Sequence, residues 1–190
     1  MKDVKPKVTK RKKVKWKNVL SKNYVLLLSA FSLFSLTYFS YSFLLVKSKE
    51  LGFSDVQVPL LYLIFTASAS AFSYFFGKLA DKVGRKPIAM TSVFTWSIVC
   101  LGFYFIKELM LIPFLFLLYG IQKSSFDVSI KTMAAEASPP QLRATGIGLF
   151  MMITGIFRFL ASLLAGIMWD SFGGGFPFIA SMFVSFTSLL

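Results

Sequence analysis

The sequence predicts an all-α integral membrane protein of six transmembrane helices, arranged as two inverted three-helix repeats. Three observations support this fold class: long apolar runs, segregated positive charge, and a short motif that occurs twice. Of the 190 residues, 56% are hydrophobic and 23 are phenylalanine, whereas soluble domains are about 45–50% apolar. The apolar runs are about sixteen to twenty-five residues long, and about 18 suffice to cross a bilayer.

The N-terminal segment is strongly basic. Residues 1–22 hold ten of the 21 Lys and Arg residues and have little to bury. The apolar run that follows is about 24 residues long, which is too long for the apolar region of a cleavable signal peptide. We interpret the segment as a disordered cytoplasmic tail that touches anionic membrane lipid, in preference to one that binds nucleic acid.

The apolar runs predict a single transmembrane domain over residues 23–190. Its six spans are expected near residues 23–46, 58–77, 87–106, 109–131, 144–168 and 175–190. The sixth span has about sixteen residues, fewer than the ~20 that a bilayer requires. We therefore expect either an incomplete last helix or a chain that ends early.

The first two spans carry small and hydroxyl residues on one face. In the first span, hydroxyls such as Ser35 and Tyr38 indicate helix packing or, alternatively, the wall of a cavity. Ser54-x-x-Gln57 fits a capping box at the start of the second span. Small residues then recur at every fourth position, which lets two membrane helices approach closely; they are Ala69, Ser73 and Gly77.

Prolines and charges delimit the remaining spans. Pro87 suits the first turn of the third span, which Lys107 and Glu108 close. Pro113 falls early in the fourth span, and the pair at 139–140 stops helix propagation after it. The fifth and sixth spans are predicted from apolar length alone.

The distribution of Lys and Arg predicts the orientation. With the tail in the cytoplasm, segments 1–22, 78–86 and 131–143 hold sixteen of the 21 Lys and Arg residues, and the opposite loops hold three. Cytoplasmic loops carry such an excess of positive charge. We expect a multi-pass protein of the plasma membrane with both termini in the cytoplasm.

One motif indicates internal duplication. Gly-x-x-x-Asp-x-x-Gly begins at Gly77 and again at Gly166, 89 residues later. Both copies follow the second span of a three-span group, and an odd number of spans places the second copy on the opposite side of the membrane. Inverted repeats of this kind are typical of secondary transporters.

Three sequence motifs resemble those of the major facilitator superfamily. Residues 77–86 match its Gly-x-Leu-Ala-Asp-x-x-Gly-Arg-Lys signature, and residues 135–146 resemble its acid-Pro-Arg loop. Residues 165–173 resemble the end of the eleventh helix of drug/proton-antiporter-like members, which favours a C-terminal half. The fifth span also lacks the Gly-Pro-rich antiporter motif of many N-terminal halves.

The resemblance implies transport of a small-molecule substrate by alternating access, with proton coupling as a further hypothesis. Members have twelve helices in two six-helix halves, and this chain provides one. It would therefore need a second six-helix half or a homodimer partner. The alternative is a non-transporting fragment of a truncated or split gene.

The resemblance further implies a conformational latch in and around the signature. In that interpretation Asp81 faces a helix N-terminus, where an anion is favoured, and Arg85 pairs with Glu136. Breaking these contacts would let one half rock against the other; the alternative is that the charges only anchor the loop and set topology. The latch residues are Gly77, Asp81, Gly84, Arg85, Lys86, Glu136 and Arg143.

Charged residues within the spans are the candidates for a substrate or proton path. Arg158 is expected roughly 21 Å from the inner end of its span, where a charge is costly and usually faces a cavity or a partner. It would meet an anionic substrate group or an acid on the missing half; the alternative is that its side chain snorkels along a protein crevice. Lys123 and Asp127 are one helical turn apart, so they form either a structural ion pair or a site at which Asp127 carries the coupled proton. Asp127 is expected about 6 Å from the inner end of its span, too far from Arg158 for a direct pair. The remaining path candidates are Gln122, Ser35 and Tyr38.

The composition argues against enzymatic chemistry. The chain has one cysteine, Cys100, and no histidine, so no disulfide, imidazole relay or histidine metal site can form within it. No nucleophile–base set occurs in the sequence, and we expect no catalytic residues, metal or cofactor.

Overall fold

A computed structural model describes residues 19–187, which contain seven α-helices and two short 3-10 turns, at 109–111 and 140–142. The predicted basic tail lies largely outside the described residues. In chain order the helices are α1 (Lys22–Ser35), α2 (Ser42–Glu50), α3 (Gln57–Val83), α4 (Arg85–Phe105), α5 (Ile112–Glu136), α6 (Arg143–Phe172) and α7 (Phe176–Thr187).

Four helices are long and apolar enough to cross a membrane. They are α3, α4, α5 and α6. The apolar segments of α5 and α6 each include the 3-10 turn that precedes the helix. Residues 176–185 of α7 form a shorter apolar helix. The all-helical class agrees with the sequence-based prediction, whereas six continuous spans are not found in the described part of the chain.

The predicted first span, 23–46, is two helices rather than one. α1 has 14 residues and α2 has nine, and residues 36–41 between them are not helical. No proline or glycine lies in this stretch, but Thr and Ser side chains compete there for backbone groups. Thr37 Oγ1 donates to the carbonyl of Phe34 over 2.7 Å, and the Ser42 N–H donates to Ser40 Oγ over 3.3 Å.

The broken span still runs from one end of the bundle to the other. At the start of α1, the Tyr24 hydroxyl donates to the Gly146 carbonyl near the start of α6, over 2.7 Å. At the far end of α2, Lys47 Nζ lies 5.8 Å from the centre of the Trp169 ring, near the end of α6. α1 and α2 together therefore extend along the length of α6.

An aromatic core holds the break in place. Trp96 of α4 is fully buried, and its indole N–H lies 3.1 Å from the Thr37 carbonyl and 3.0 Å from Ser181 Oγ of α7. The Ser181 hydroxyl also donates to the Thr37 carbonyl. A carbonyl that the helix break has freed is thereby bonded inside the bundle, as a lipid environment requires.

The segment predicted as the latch loop is mostly helix. α3 continues to Val83 and α4 begins at Arg85, so only Gly84 separates them. Gly84 has φ 89° and ψ 168°, a conformation that only glycine adopts readily. Gly77, also among the predicted latch residues, lies inside α3 without a positive φ.

α3 and α5 approach closely at Gly120. A β-carbon built on Gly120 would lie 2.6 Å from Ser68 Cβ and 2.7 Å from the Phe65 carbonyl oxygen, both of α3. The Ser68 hydroxyl also donates to the Leu117 carbonyl over 2.9 Å. The small residue on α5 is thus required by packing.

Gly120→Ala is expected to destabilise the helix bundle. The added methyl group collides with the α3 backbone, and overpacking of this kind costs about 1–3 kcal/mol. The matched control is Gly148→Ala, because a β-carbon there meets nothing within 4 Å. Thermal unfolding in detergent should show a lower midpoint for Gly120→Ala only; equal midpoints would contradict the close approach.

Candidate functional site

A cavity of about 290 Å³ lies beside the break in the first span. Its wall is formed by the non-helical stretch together with α5 and α6. The lining residues are Tyr38, Phe39, Ser40, Tyr41, Tyr119, Lys123, Arg158, Phe159 and Ser162. Within a bundle of membrane-length helices, this wall combines aromatic rings, hydroxyl groups and two cations.

Arg158 of α6 packs its guanidinium group on aromatic rings. Its Cζ atom lies 4.7 Å from the centre of the Phe126 ring and 5.2 Å from that of Tyr38. Such cation–π contacts stabilise a partly desolvated cation. Arg158 Nε is buried without a hydrogen-bond partner among the described residues.

Lys123 and Asp127 form an ion pair one helical turn apart on α5. Their side chains are 28% and 31% exposed, so the pair is partly shielded from solvent. Lys123 lines the cavity, whereas Asp127 does not. The carboxylate thus neutralises Lys123 without itself lining the cavity.

The depth expected for Asp127 was too shallow. α5 continues to Glu136 instead of ending near residue 131, which places Asp127 about 14 Å from the helix end. The guanidinium group of Arg158 contacts Phe126, the neighbour of Asp127 in the chain. Among the described residues Arg158 and Asp127 form no direct ion pair.

Besides Asp127, two more of the candidate path residues lie outside the cavity. Gln122 and Ser35 are both completely buried, and neither lines it. The amide atoms of Gln122 and the hydroxyl of Ser35 have no hydrogen-bond partner among the described residues. Tyr38 does line the cavity, and its hydroxyl donates to that of Tyr119 over 3.0 Å.

Sequence reasoning missed Tyr119 and Phe126 as parts of this site. Tyr119, Lys123 and Asp127 recur at four-residue intervals, which places them on one stripe of α5. This spacing is visible in the sequence and was the available signal. The contact between Phe126 and Arg158 had no such signal, because it depends on how α5 and α6 pack.

A second charged cluster joins α3, α4 and α5 at the end of the bundle where α1 begins. Arg85 Nε lies 2.8 Å from Glu136 Oε1, although its N–H is poorly directed for a hydrogen bond. Arg85 also lies 3.6 Å from Asp81 Oδ1. The side chains of Asp81 and Glu136 are 75% and 53% exposed, and such exposed pairs contribute at most about 1 kcal/mol.

The other predicted latch residues are arranged around this cluster. Lys86 and Arg143 are exposed at the first residues of α4 and α6. Arg85, Lys86 and Glu136 line a second cavity, of about 670 Å³, together with Asn23 and other residues of α1. Three helix ends therefore meet at one group of charges.

The described residues contain no cluster of three or more side chains suited to bind a metal ion. Cys100 is fully buried in α4. The chemistry available at both clusters is therefore that of fixed charges, hydroxyl groups and aromatic faces.

Comparison with known proteins supports a transport family. Residues 25–190 match the Major Facilitator Superfamily. An uncharacterized MFS-type transporter of Methanocaldococcus jannaschii is 37% identical over 73% of this chain and 36% of its own length. An uncharacterized transporter of Buchnera aphidicola subsp. Schizaphis graminum is 28% identical over 92% of this chain and 43% of its own length.

A third relative has a more specific name. The proton myo-inositol cotransporter of Caenorhabditis elegans is 31% identical over 55% of this chain and 17% of its own length. No solved structure matches the chain significantly. The chain spans less than half the length of each of these relatives.

The match over residues 25–190 covers most of the sequence, and it agrees with the apolar helices that are long enough to cross a membrane. The chain therefore belongs to the major facilitator superfamily and is an integral membrane protein.

Proposed function

We propose that this chain is one half of a secondary carrier that moves a small solute across a membrane by alternating access. The observation that carries the proposal is the cavity at the break in the first span. Two cations of the spanning helices line it, and Asp127 pairs with one of them. Charges at such depth are expensive and usually mark a solute or ion pathway.

The two copies of the duplicated motif support an architecture of inverted repeats. Gly84 ends α3 with φ 89° and ψ 168°, and Gly173 ends α6 with φ 89° and ψ 162°. Each glycine N–H donates to the carbonyl four residues earlier, over 3.0 Å and 2.9 Å. Helices at equivalent positions of the proposed repeats therefore end in the same way.

A second six-helix half would complete the pathway. The exposed aromatic and aliphatic side chains of α3 and α6 provide surfaces for lipid or for this second half. The half would be supplied by another six-helix segment or by a second copy of this chain.

Proton coupling through Asp127 is part of the proposal. Asp127 is the acidic residue within the spans beside the cavity, and no histidine competes with it. The nematode relative named as a proton myo-inositol cotransporter supports this part of the proposal.

Both termini are proposed to be cytoplasmic, with residues 51–56 outside. A single-cysteine assay tests this orientation in a Cys100→Ser background, which removes the buried native thiol. Val56→Cys should react with a membrane-impermeant maleimide in intact cells, because Val56 is 78% exposed. Gln141→Cys, exposed at the opposite end, should react only after permeabilisation; the reverse pattern would contradict the orientation.

Arg85 and Glu136 are proposed to act as the latch that stabilises one conformation. Arg85→Gln and Glu136→Gln should each lower solute counterflow in proteoliposomes about fivefold or more, the range of typical conformational coupling. For Glu136→Gln, stability should change by less than about 1 kcal/mol, because the Glu136 side chain is 53% exposed. Exchanging the two residues should restore part of the activity.

The control for the latch is Lys82→Gln. Lys82 is exposed in the last turn of α3 and makes no ion pair among the described residues. It should leave counterflow unchanged. Equal activity of Arg85→Gln and Lys82→Gln, at equal expression, would refute the latch.

Asp127→Asn tests both transport and proton coupling. Proteoliposomes containing the chain are assayed with labelled myo-inositol, succinate and sn-glycerol 3-phosphate, by counterflow and by accumulation driven by a pH gradient. The substitution should preserve counterflow and abolish accumulation, because the neutral amide cannot take up the coupled proton. Glu108→Gln, exposed in the loop after α4, is the matched control.

Two results would contradict this proposal. Accumulation that survives in Asp127→Asn would exclude Asp127 as the proton-carrying group. Absence of counterflow for every solute, both for the chain alone and after co-reconstitution with a second half, would favour the non-transporting alternative.

A further inference from the structure

The charge balance of the cavity beside the broken span indicates what kind of solute it accepts. We infer that the solute carries a carboxylate or phosphate group and that this anionic group binds at Arg158. The inference rests on the proposed function and specifies its substrate class.

Arg158 has an unfilled requirement for an anion. Its guanidinium group has five N–H donors in a fixed planar array. The aromatic rings of Tyr38 and Phe126 contact the cation with their faces but offer these donors no acceptor oxygen. Nε is buried without an acceptor. No carboxylate lies within ion-pair distance of Arg158 in the described part of the chain, although the neighbouring Lys123 has one in Asp127.

The pairing of Lys123 leaves one positive charge unbalanced. Asp127 compensates Lys123, so the two together contribute no net charge to the site. Arg158 remains, and it lines the same cavity. A bound monoanionic group would neutralise the site, whereas a cationic solute would add to an uncompensated charge.

The helix break adds positive potential on the same side. Ser40 and Tyr41 line the cavity, and α2 begins at the next residue. The N-terminus of a helix carries a partial positive charge, and discontinuous transporter helices direct it at anionic groups. The first N–H groups of α2 are already bonded to Ser40, so the helix supplies potential rather than free donors.

The cavity also offers a hydroxyl donor. Ser162 Oγ accepts the Ser40 N–H over 3.0 Å, and this leaves the hydroxyl hydrogen of Ser162 free to point at a solute. Arg158, on the preceding turn of α6, faces the same space. A guanidinium group with an adjacent hydroxyl suits a carboxylate or phosphate oxygen.

Ligand-induced thermal stabilisation of the purified chain tests the inference without requiring transport. The probes are succinate, sn-glycerol 3-phosphate and inorganic phosphate, with glycerol and myo-inositol as neutral counterparts and chloride to match ionic strength. At least one anion should raise the unfolding midpoint in a concentration-dependent manner, and the neutral compounds should not. Comparison of succinate with the two phosphates identifies which anionic group is preferred.

Arg158 variants assign the binding to this residue. Arg158→Gln should lose the anion-dependent shift, and circular dichroism checks that it is folded. Arg158→Lys retains the charge within the membrane but loses the planar donor array, so its apparent affinity should fall by at least about tenfold. Lys107→Gln removes an exposed positive charge in the loop after α4 and should retain the full shift.

Three results would overturn the inference. The first is an anion-dependent shift that is equal in wild type and both Arg158 variants. The second is stabilisation by myo-inositol and by none of the anions, which would leave the carrier proposal intact. The third is reduced self-association of Arg158→Gln with an unchanged anion response, which would assign Arg158 to an acid on a partner half.

Discussion

The bond between the Thr37 carbonyl and the Trp96 indole is the contact on which the rest of this structure depends. A helix that stops within a membrane leaves backbone groups that lipid cannot satisfy, at several kcal/mol each. Here the Trp96 N–H and the Ser181 hydroxyl both reach the freed carbonyl. α4 and α7, the helices that supply them, therefore stabilise the break.

The break in turn creates the charged cavity. Because residues 36–41 leave the helical path, Tyr38 turns its ring toward α5 and α6 and stacks on Phe126 at 5.6 Å between ring centres. Arg158 then covers both rings. A continuous helix would carry Tyr38 on a helical face instead, so one backbone irregularity determines both the shape of the cavity and the support of its cation.

Hydropathy predicts the helical class well because the cost of burying polar backbone in lipid leaves few alternatives. It located the central residues of α3 to α6 but not the residues at which these helices end. Gly84, for example, terminates α3 later in the chain than the charges near Lys78 suggested. The break after Ser35 was not predictable, because no Gly or Pro marks it and its stability comes from Trp96, distant in sequence. Gln122 was assigned to the path by polarity alone, and packing instead buries it away from the cavity.

The two charged clusters differ in a way that suits different roles in the proposed conformational cycle. The Arg85 cluster joins the ends of three helices through carboxylates that are more than half exposed, and exposed ion pairs break at little cost. The Lys123–Asp127 pair is about 70% shielded, so opening it without a replacement partner would leave charges in a low-dielectric environment. Reversible rearrangement is therefore expected at the helix ends, while the cavity keeps its charges paired or occupied. An anion that neutralises Arg158 would lower the cost of closing the cavity around it, and this would link binding at the centre to movement at the ends.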